Sequence, residues 1–205
     1  MFGLLKQRCL ATVQNKLFLQ TLENWKNAHW DINLVSNQRI GPRQPPWDIN
    51  DYDRISKYST STDYIEQILD GGVPRYYSVV HPFGSEPYGK YMFDNMPFEF
   101  DQGTTGLYRP QGFVSWHNDA DDSGWFFMLT YSPYGNGCFK YVDPDSSRII
   151  VCQDSVGWNT RTFYAGDTPD TYFWHCALAP SLRFTWLFKF YTEEKYKLAM
   201  DILAK

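Results

Sequence analysis

The rhythm of apolar and polar positions changes about a third of the way along the chain. Over residues 2–28, Leu10, Val13, Leu17 and Leu22 recur at helical spacing with Lys, Gln and Asn between them. The pattern predicts an amphipathic helix packed on a sheet. Gly41-Pro42 and Pro45-Pro46 then mark 35–50 as a loop that carries Trp47, Arg39 and Arg43. Ser61 or Thr62 can cap a short helix through Leu69, which Gly71-Gly72 stops.

From Tyr76 the period shortens to that of strands. β-favouring runs alternate with Gly, Pro, Asn and Asp clusters: Tyr76–Val80, Phe98–Phe100, Gly112–His117, Trp125–Tyr131, Cys138–Val142, Arg148–Cys152, Arg161–Tyr164, Tyr172–His175 and Arg183–Tyr191. Asp143-Pro144-Asp145-Ser146 reads as a hairpin turn. Many short strands in succession predict a sandwich or jelly roll rather than βαβ units. A closing helix starts near Thr192, where Glu194 supports a capped start.

Composition narrows this picture. With 43% hydrophobic and 20% charged positions in 205 residues, the chain suits one globular domain over 1–205. That domain divides into a helical support region and loop (1–75), a strand-rich core (76–191) and a C-terminal helix (192–205). The 15 Phe, 15 Tyr and 8 Trp fit a β-rich core. A net charge of −4 gives no general attraction for a phosphate backbone, so nucleic acid is not favoured as a partner. Cys9, Cys138, Cys152 and Cys176 form no CxxC pair and read as free thiols of a reducing compartment. Lys6, Arg8 and Lys16 interrupt any signal-peptide core, and no apolar run is long enough for a membrane. A cytoplasmic protein without a membrane segment is the expectation.

Chemistry concentrates in Trp116-His117-Asn118-Asp119, His175 and Arg183. Alternation turns Trp116 away from His117, and returns Asp119 to the His117 face if the strand stays extended. Two imidazoles and one carboxylate can form a facial triad that leaves half of an iron's coordination sphere open. Asp121 and Asp122 compete as carboxylates, and an H-x-D tripeptide alone is also what a strand-end turn looks like. In Arg183–Phe190, alternation puts Phe184, Trp186, Phe188 and Phe190 on one face and Arg183 with Thr185 on the other. A buried guanidinium needs an anion. A bound dicarboxylate gripped by the planar fork would supply one, and so would a neighbouring Asp; both readings are open on this strand alone.

Tyr108-Arg109-Pro110-Gln111-Gly112-Phe113-Val114-Ser115-Trp116-His117-Asn118-Asp119, then His175, then Arg183-Phe184-Thr185, resemble the core of the Fe(II)/2-oxoglutarate-dependent dioxygenases, most nearly the prolyl-hydroxylase-like branch. Gly135-Asn136-Gly137-Cys138-Phe139 is similar to that family's glycine-rich turn. The resemblance covers roughly 105–191 and implies a double-stranded β-helix, a distorted jelly roll, buttressed by helices. It implies that His117, Asp119 and His175 hold Fe(II), that Arg183 with Thr185 takes the distal carboxylate of 2-oxoglutarate, and that Tyr108 and Tyr131 set phenols against that cosubstrate. O2 is then consumed, with ascorbate a candidate reductant. The reaction implied is hydroxylation of an unactivated C–H with release of succinate and CO2, on a protein or peptide side chain such as proline. A free amino acid, small metabolite or nucleobase is the alternative substrate. The chain departs from the pattern in its polar 164–172 loop and in Ala177, where a larger aliphatic is common. Two other functions compete: a non-catalytic jelly-roll binding module, and a hydrolase holding zinc on the same ligands.

Overall fold

The computed structural model describes residues 6–8, 13–29, 87–108, 110, 112–119, 122–146 and 148–205. Trp47, Asp121, the 35–50 loop, the 61–69 helix and the 76–80 strand lie outside them.

Two antiparallel sheets carry the chain. Strands β1 (Lys6–Arg8), β2 (Gln102–Tyr108), β4 (Gly124–Ser132), β7 (Gly157–Ala165) and β9 (Arg183–Phe190) form the larger sheet, in the order β1-β7-β4-β9-β2. Strands β3 (Gly112–His117), β5 (Cys138–Val142), β6 (Ile149–Gln153) and β8 (His175–Ala179) form the smaller, in the order β3-β8-β5-β6. From β2 onward the chain crosses between sheets at every connection except the β5–β6 hairpin. That hairpin is closed by Asp143 N–H donating to the Arg148 carbonyl at 2.8 Å, on the turn expected from Asp143-Pro144-Asp145-Ser146.

Helices α1 (Lys16–His29), α2 (Pro87–Asp94) and α3 (Glu193–Leu203), with one 3-10 turn at Pro169–Thr171, complete the described elements. The first differs from expectation. Asn15 caps it by accepting from the Phe18 amide at 2.9 Å, so the helix starts at Lys16, and residues 6–8 pair with β7 as a strand. The buried stripe is consequently Phe18, Thr21, Leu22 and Trp25, and Leu17 is exposed. Thr192 caps α3 by accepting from the Lys195 amide, as its sequence signals.

Strand β2 and helix α2 carry weak sequence signals. Gln102-Gly103-Thr104-Thr105-Gly106 reads as turn chemistry, yet it pairs with β9 from Gln102↔Lys189 to Tyr108↔Arg183. Gly103 is needed there because a Cβ would stand 2.6 Å from the Phe93 ring of α2. Phe98–Phe100, expected as a strand, is irregular backbone whose rings pack on Phe188. Strand β8 begins at His175 where a run ending there was expected; its small residues Cys176, Ala177 and Ala179 carry little strand propensity and are fixed by pairing with β3 and β5.

Apolar side chains form two layers. One lies between the helices and the outer face of the larger sheet, where Trp25 meets Tyr131, Trp158, Phe184 and Trp186 edge-on at 4.9–5.6 Å. The other lies between the sheets and includes Phe126, Met128, Phe139, Phe163, Phe173 and Ala177. This inner layer is incompletely filled and encloses a cavity of about 310 Å³. Among the described residues no helix is long and apolar enough to cross a membrane.

Candidate metal centre and its cavity

Adjacent strands of the smaller sheet bring the two histidines together. His117 at the end of β3 stands opposite His175 at the start of β8, with ring centroids 4.1 Å apart. The register slips by one residue between Val114 and His117. Residues three apart would face opposite ways in a regular strand; this bulge puts Val114 and His117 on the same face, and both line the cavity. Trp116 turns away, as alternation requires, and is buried without lining the cavity.

Asp119 reaches the histidines by a different route from the one alternation suggests. The strand ends at His117, and Asp119 adopts a left-handed φ of 52°, a conformation Asp tolerates better than most residues. Its carbonyl accepts from the Asp122 amide at 2.8 Å, which closes the turn. The carboxylate then lies 3.7 Å from His117 Nε2 through Oδ1 and 3.5 Å from His175 Nε2 through Oδ2. One ligand atom from each of the three residues falls within 4.8 Å of the others, close enough to hold one metal ion. Asp122, a rival carboxylate on sequence, is instead ion-paired with Lys189.

The donor set fits a metal in its protonation as well. His175 Nδ1 is 2.8 Å from the Phe173 carbonyl. A carbonyl can only accept, so Nδ1 carries the proton and Nε2 keeps its lone pair for an ion. Phe139 and Phe173 stack on the ring at 5.3 and 5.4 Å and fix its plane. Burial pushes the Cys138, Cys152 and Cys176 thiols up, so none is a thiolate nucleophile at neutral pH; none of the three is in a disulfide, as expected, and Cys9 lies outside the described residues.

Arg183 and Thr185 do share the inward face of β9. Arg183 is 1% exposed, Thr185 lines the cavity, and Arg183 Nη1 donates to Thr185 Oγ1 at 2.8 Å. Nη2 reaches Thr130 Oγ1 at 3.4 Å, and the guanidinium lies over the Tyr108 ring at 4.9 Å. The neighbouring-Asp reading is realised here. Asp154, which no local pattern singles out, accepts from Arg183 Nε at 2.9 Å. Among the described residues only the Nε edge meets a carboxylate, and each Nη group spends one N–H on a threonine hydroxyl, so both retain a donor for a second anion at the Thr185 side.

Tyr108 lines the cavity, and burial raises its phenol above the usual range against the opposing pull of Arg183; it stays a neutral donor. Tyr131 does not belong with it. Its ring packs on Trp25 and Trp158 in the helix-side layer, so the expectation that it faces a cosubstrate is corrected. On β4 the inward parity belongs to Met128 and Thr130, because Thr130 is paired with Thr185.

No protein-family model and no curated protein matches the sequence. Among solved structures, a Pseudomonas putida prolyl-4-hydroxylase is similar with a TM-score of 0.36 and 10% identity, over 86% of this chain and 100% of that one. An oxidoreductase of the 2OG-Fe(II) oxygenase family from Burkholderia pseudomallei is similar with a TM-score of 0.37 and 10% identity, over 72% and 92% of the two chains.

Proposed function

We propose that this protein is an Fe(II)- and 2-oxoglutarate-dependent dioxygenase that hydroxylates an unactivated C–H bond. The observation that carries the reading is the convergence of His117, Asp119 and His175 on one point at the wall of an inter-sheet cavity. The strand crossing between sheets, with β3-β8-β5-β6 facing β7-β4-β9-β2, supports a double-stranded β-helix.

Each residue has a task in this scheme. His117, Asp119 and His175 would hold Fe(II) from one side, leaving the cavity side open. The bound iron supplies oxidation by O2 coupled to decarboxylation of the 2-oxo acid. Arg183, Thr185 and Tyr108 would orient the distal carboxylate through charge-assisted hydrogen bonds. Ala177, lining the cavity where a larger aliphatic would intrude, leaves room beside the triad. Met128, Phe139, Phe163 and Leu187 exclude water from the same space. The likeness of the 108–119 and 175–185 motifs to the prolyl-hydroxylase-like branch supports a protein or peptide side chain, such as proline, as substrate.

Anaerobic protein given Fe(II) and 2-oxoglutarate should develop a weak visible absorption band, and in air should form succinate slowly without a prime substrate. His117→Ala and Asp119→Ala should lose both signals; retention of both would overturn the site. Succinate formation screened against peptide, amino-acid and nucleotide pools then identifies the substrate class. Protein that binds zinc, rejects iron and forms no succinate would mark a hydrolase instead.

A further inference from the structure

A charge cluster beside the cavity is left over by the triad chemistry. Asp154, just after β6, is 3% exposed. Its Oδ2 accepts from Arg183 Nε at 2.9 Å, and its Oδ1 accepts from Arg161 Nη2 at 2.6 Å. Arg161, on β7, is 0% exposed. Its Nη2 also donates to the Cys152 carbonyl at 3.1 Å, while its Nε and Nη1 are buried with no hydrogen-bond partner among the described residues. Cavity-lining residues touch the cluster at three points: Thr185 and Tyr108 on Arg183, and Phe139, whose ring lies 5.8 Å from the Arg161 guanidinium.

Among the described residues two buried cations therefore share one buried anion, and the group carries one excess positive charge. Stability is a weak reason for such an arrangement, since apolar replacements of buried ion triads are often as stable or more so. Electrostatics supplies a better one. Arg183 and Asp154 by themselves would be a neutral pair with little net pull on an incoming carboxylate. Arg161 draws on the other oxygen of Asp154 and restores the charge.

Resting on the oxygenase reading above, we propose that Arg161, acting through Asp154, is the positioning residue that makes the Arg183 end of the cavity cationic and so selects a 2-oxo acid with a distal carboxylate. Arg161 need not touch the ligand. Asp154 holds the Nε edge of Arg183, which turns the Nη donors toward Thr185 and Thr130; Arg161 keeps that orientation from neutralising the site.

The test is calorimetric titration of anaerobic, Fe(II)-loaded protein with 2-oxoglutarate and with 2-oxopentanoate, which lacks the distal carboxylate. Arg161→Met should weaken 2-oxoglutarate about tenfold or more, the scale of a lost charge interaction in a buried site, and leave 2-oxopentanoate unchanged. Arg161→Lys, which keeps the charge, should stay within about threefold of the native protein, and Arg161→Met with Asp154→Asn, which restores a single positive charge, should recover the lost affinity. Asp154→Asn alone removes the anion while its amide oxygen still accepts from Arg183 Nε, so the orientation is kept and 2-oxoglutarate should bind more tightly, the opposite of what a merely structural carboxylate predicts. It decides the matter if Arg161→Met does not fold. Native-like affinity in Arg161→Met, or weakened binding in Asp154→Asn, overturns the proposal while leaving the oxygenase reading intact. Failure of the native protein to bind either acid overturns both.

Discussion

The two faces of the larger sheet are built from the same strands and do opposite things. Toward the helices, β4 and β9 present Phe127, Leu129, Tyr131, Phe184, Trp186, Phe188 and Phe190, all buried and closed over by α1, α2 and α3. Toward the smaller sheet they present Met128, Thr130, Arg183, Thr185 and Leu187, which border a cavity and a buried charge cluster. Each residue step along a strand moves from one regime to the other. One face is filled to the density that stabilises a fold; the other leaves space and unspent donors, which stabilise nothing until something binds.

That division predicts that stability and activity respond to different substitutions. The largest effect belongs to the inner face: His175→Ala should abolish Fe(II)-dependent succinate formation while moving the melting temperature of metal-free protein by only a few degrees. Differential scanning calorimetry beside a turnover assay checks this. A metal-free protein that unfolds on His175→Ala would erase the distinction between the faces. Trp25→Ala is the counterpart on the outer face. Its ring is 0% exposed and meets four aromatic rings, so truncation should cost about 3–5 kcal/mol in urea denaturation. Iron affinity of the fraction that remains folded should be unchanged.

The outer face was legible in the sequence because alternation over eight residues of β9 is strong and both faces are buried. His117, Asp119 and His175 were legible as a set of residue types, although their geometry was not: it depends on a bulge in β3 and a left-handed Asp119, neither of which has a composition signal. Tyr131 went to the wrong side because parity tells which residues share a face, not which face meets the cavity. Only the pairing of Thr130 with Thr185 resolves that. Asp154 could not be read at all. Its partners Arg161 and Arg183 lie on strands 7 and 29 residues downstream, and no local pattern connects them. Strand β2 was hidden by its glycines, neither of which forms a turn: Gly103 packs against Phe93 and Gly106 lines the cavity.

Gly137 tests the boundary between the regimes at lower amplitude. A Cβ there would stand 2.5 Å from Asp154 Oδ2 and 3.2 Å from Arg183 Cδ, while its carbonyl accepts from the Asp154 amide at 2.8 Å. Gly137→Ala must therefore push the carboxylate off its partners. Overpacking of this kind costs about 1–3 kcal/mol. Denaturation should show that loss, and calorimetry should show altered 2-oxoglutarate affinity with iron affinity retained. Equal losses in both ligands would mean that the two ends of the cavity are not independent.

The smallest effect is a pH dependence confined to the inner face. Burial opposes the charge on Asp154, but Arg183 and Arg161 more than offset it and hold the carboxyl below the usual carboxylate range. A group whose folded pKa is depressed contributes stability that is fully present above its unfolded value, about 3.9 for Asp, and is lost as pH falls through the folded value. The native protein should therefore lose stability below about pH 4 more steeply than Asp154→Asn does. The helix-side variant Trp25→Ala should keep the native slope, since no titrating group is removed. Melting temperatures from pH 7 to pH 3 on the three proteins measure this. A native profile parallel to that of Asp154→Asn would mean that the carboxylate is not held by its two arginines, and the cluster could not then set the charge of the cavity.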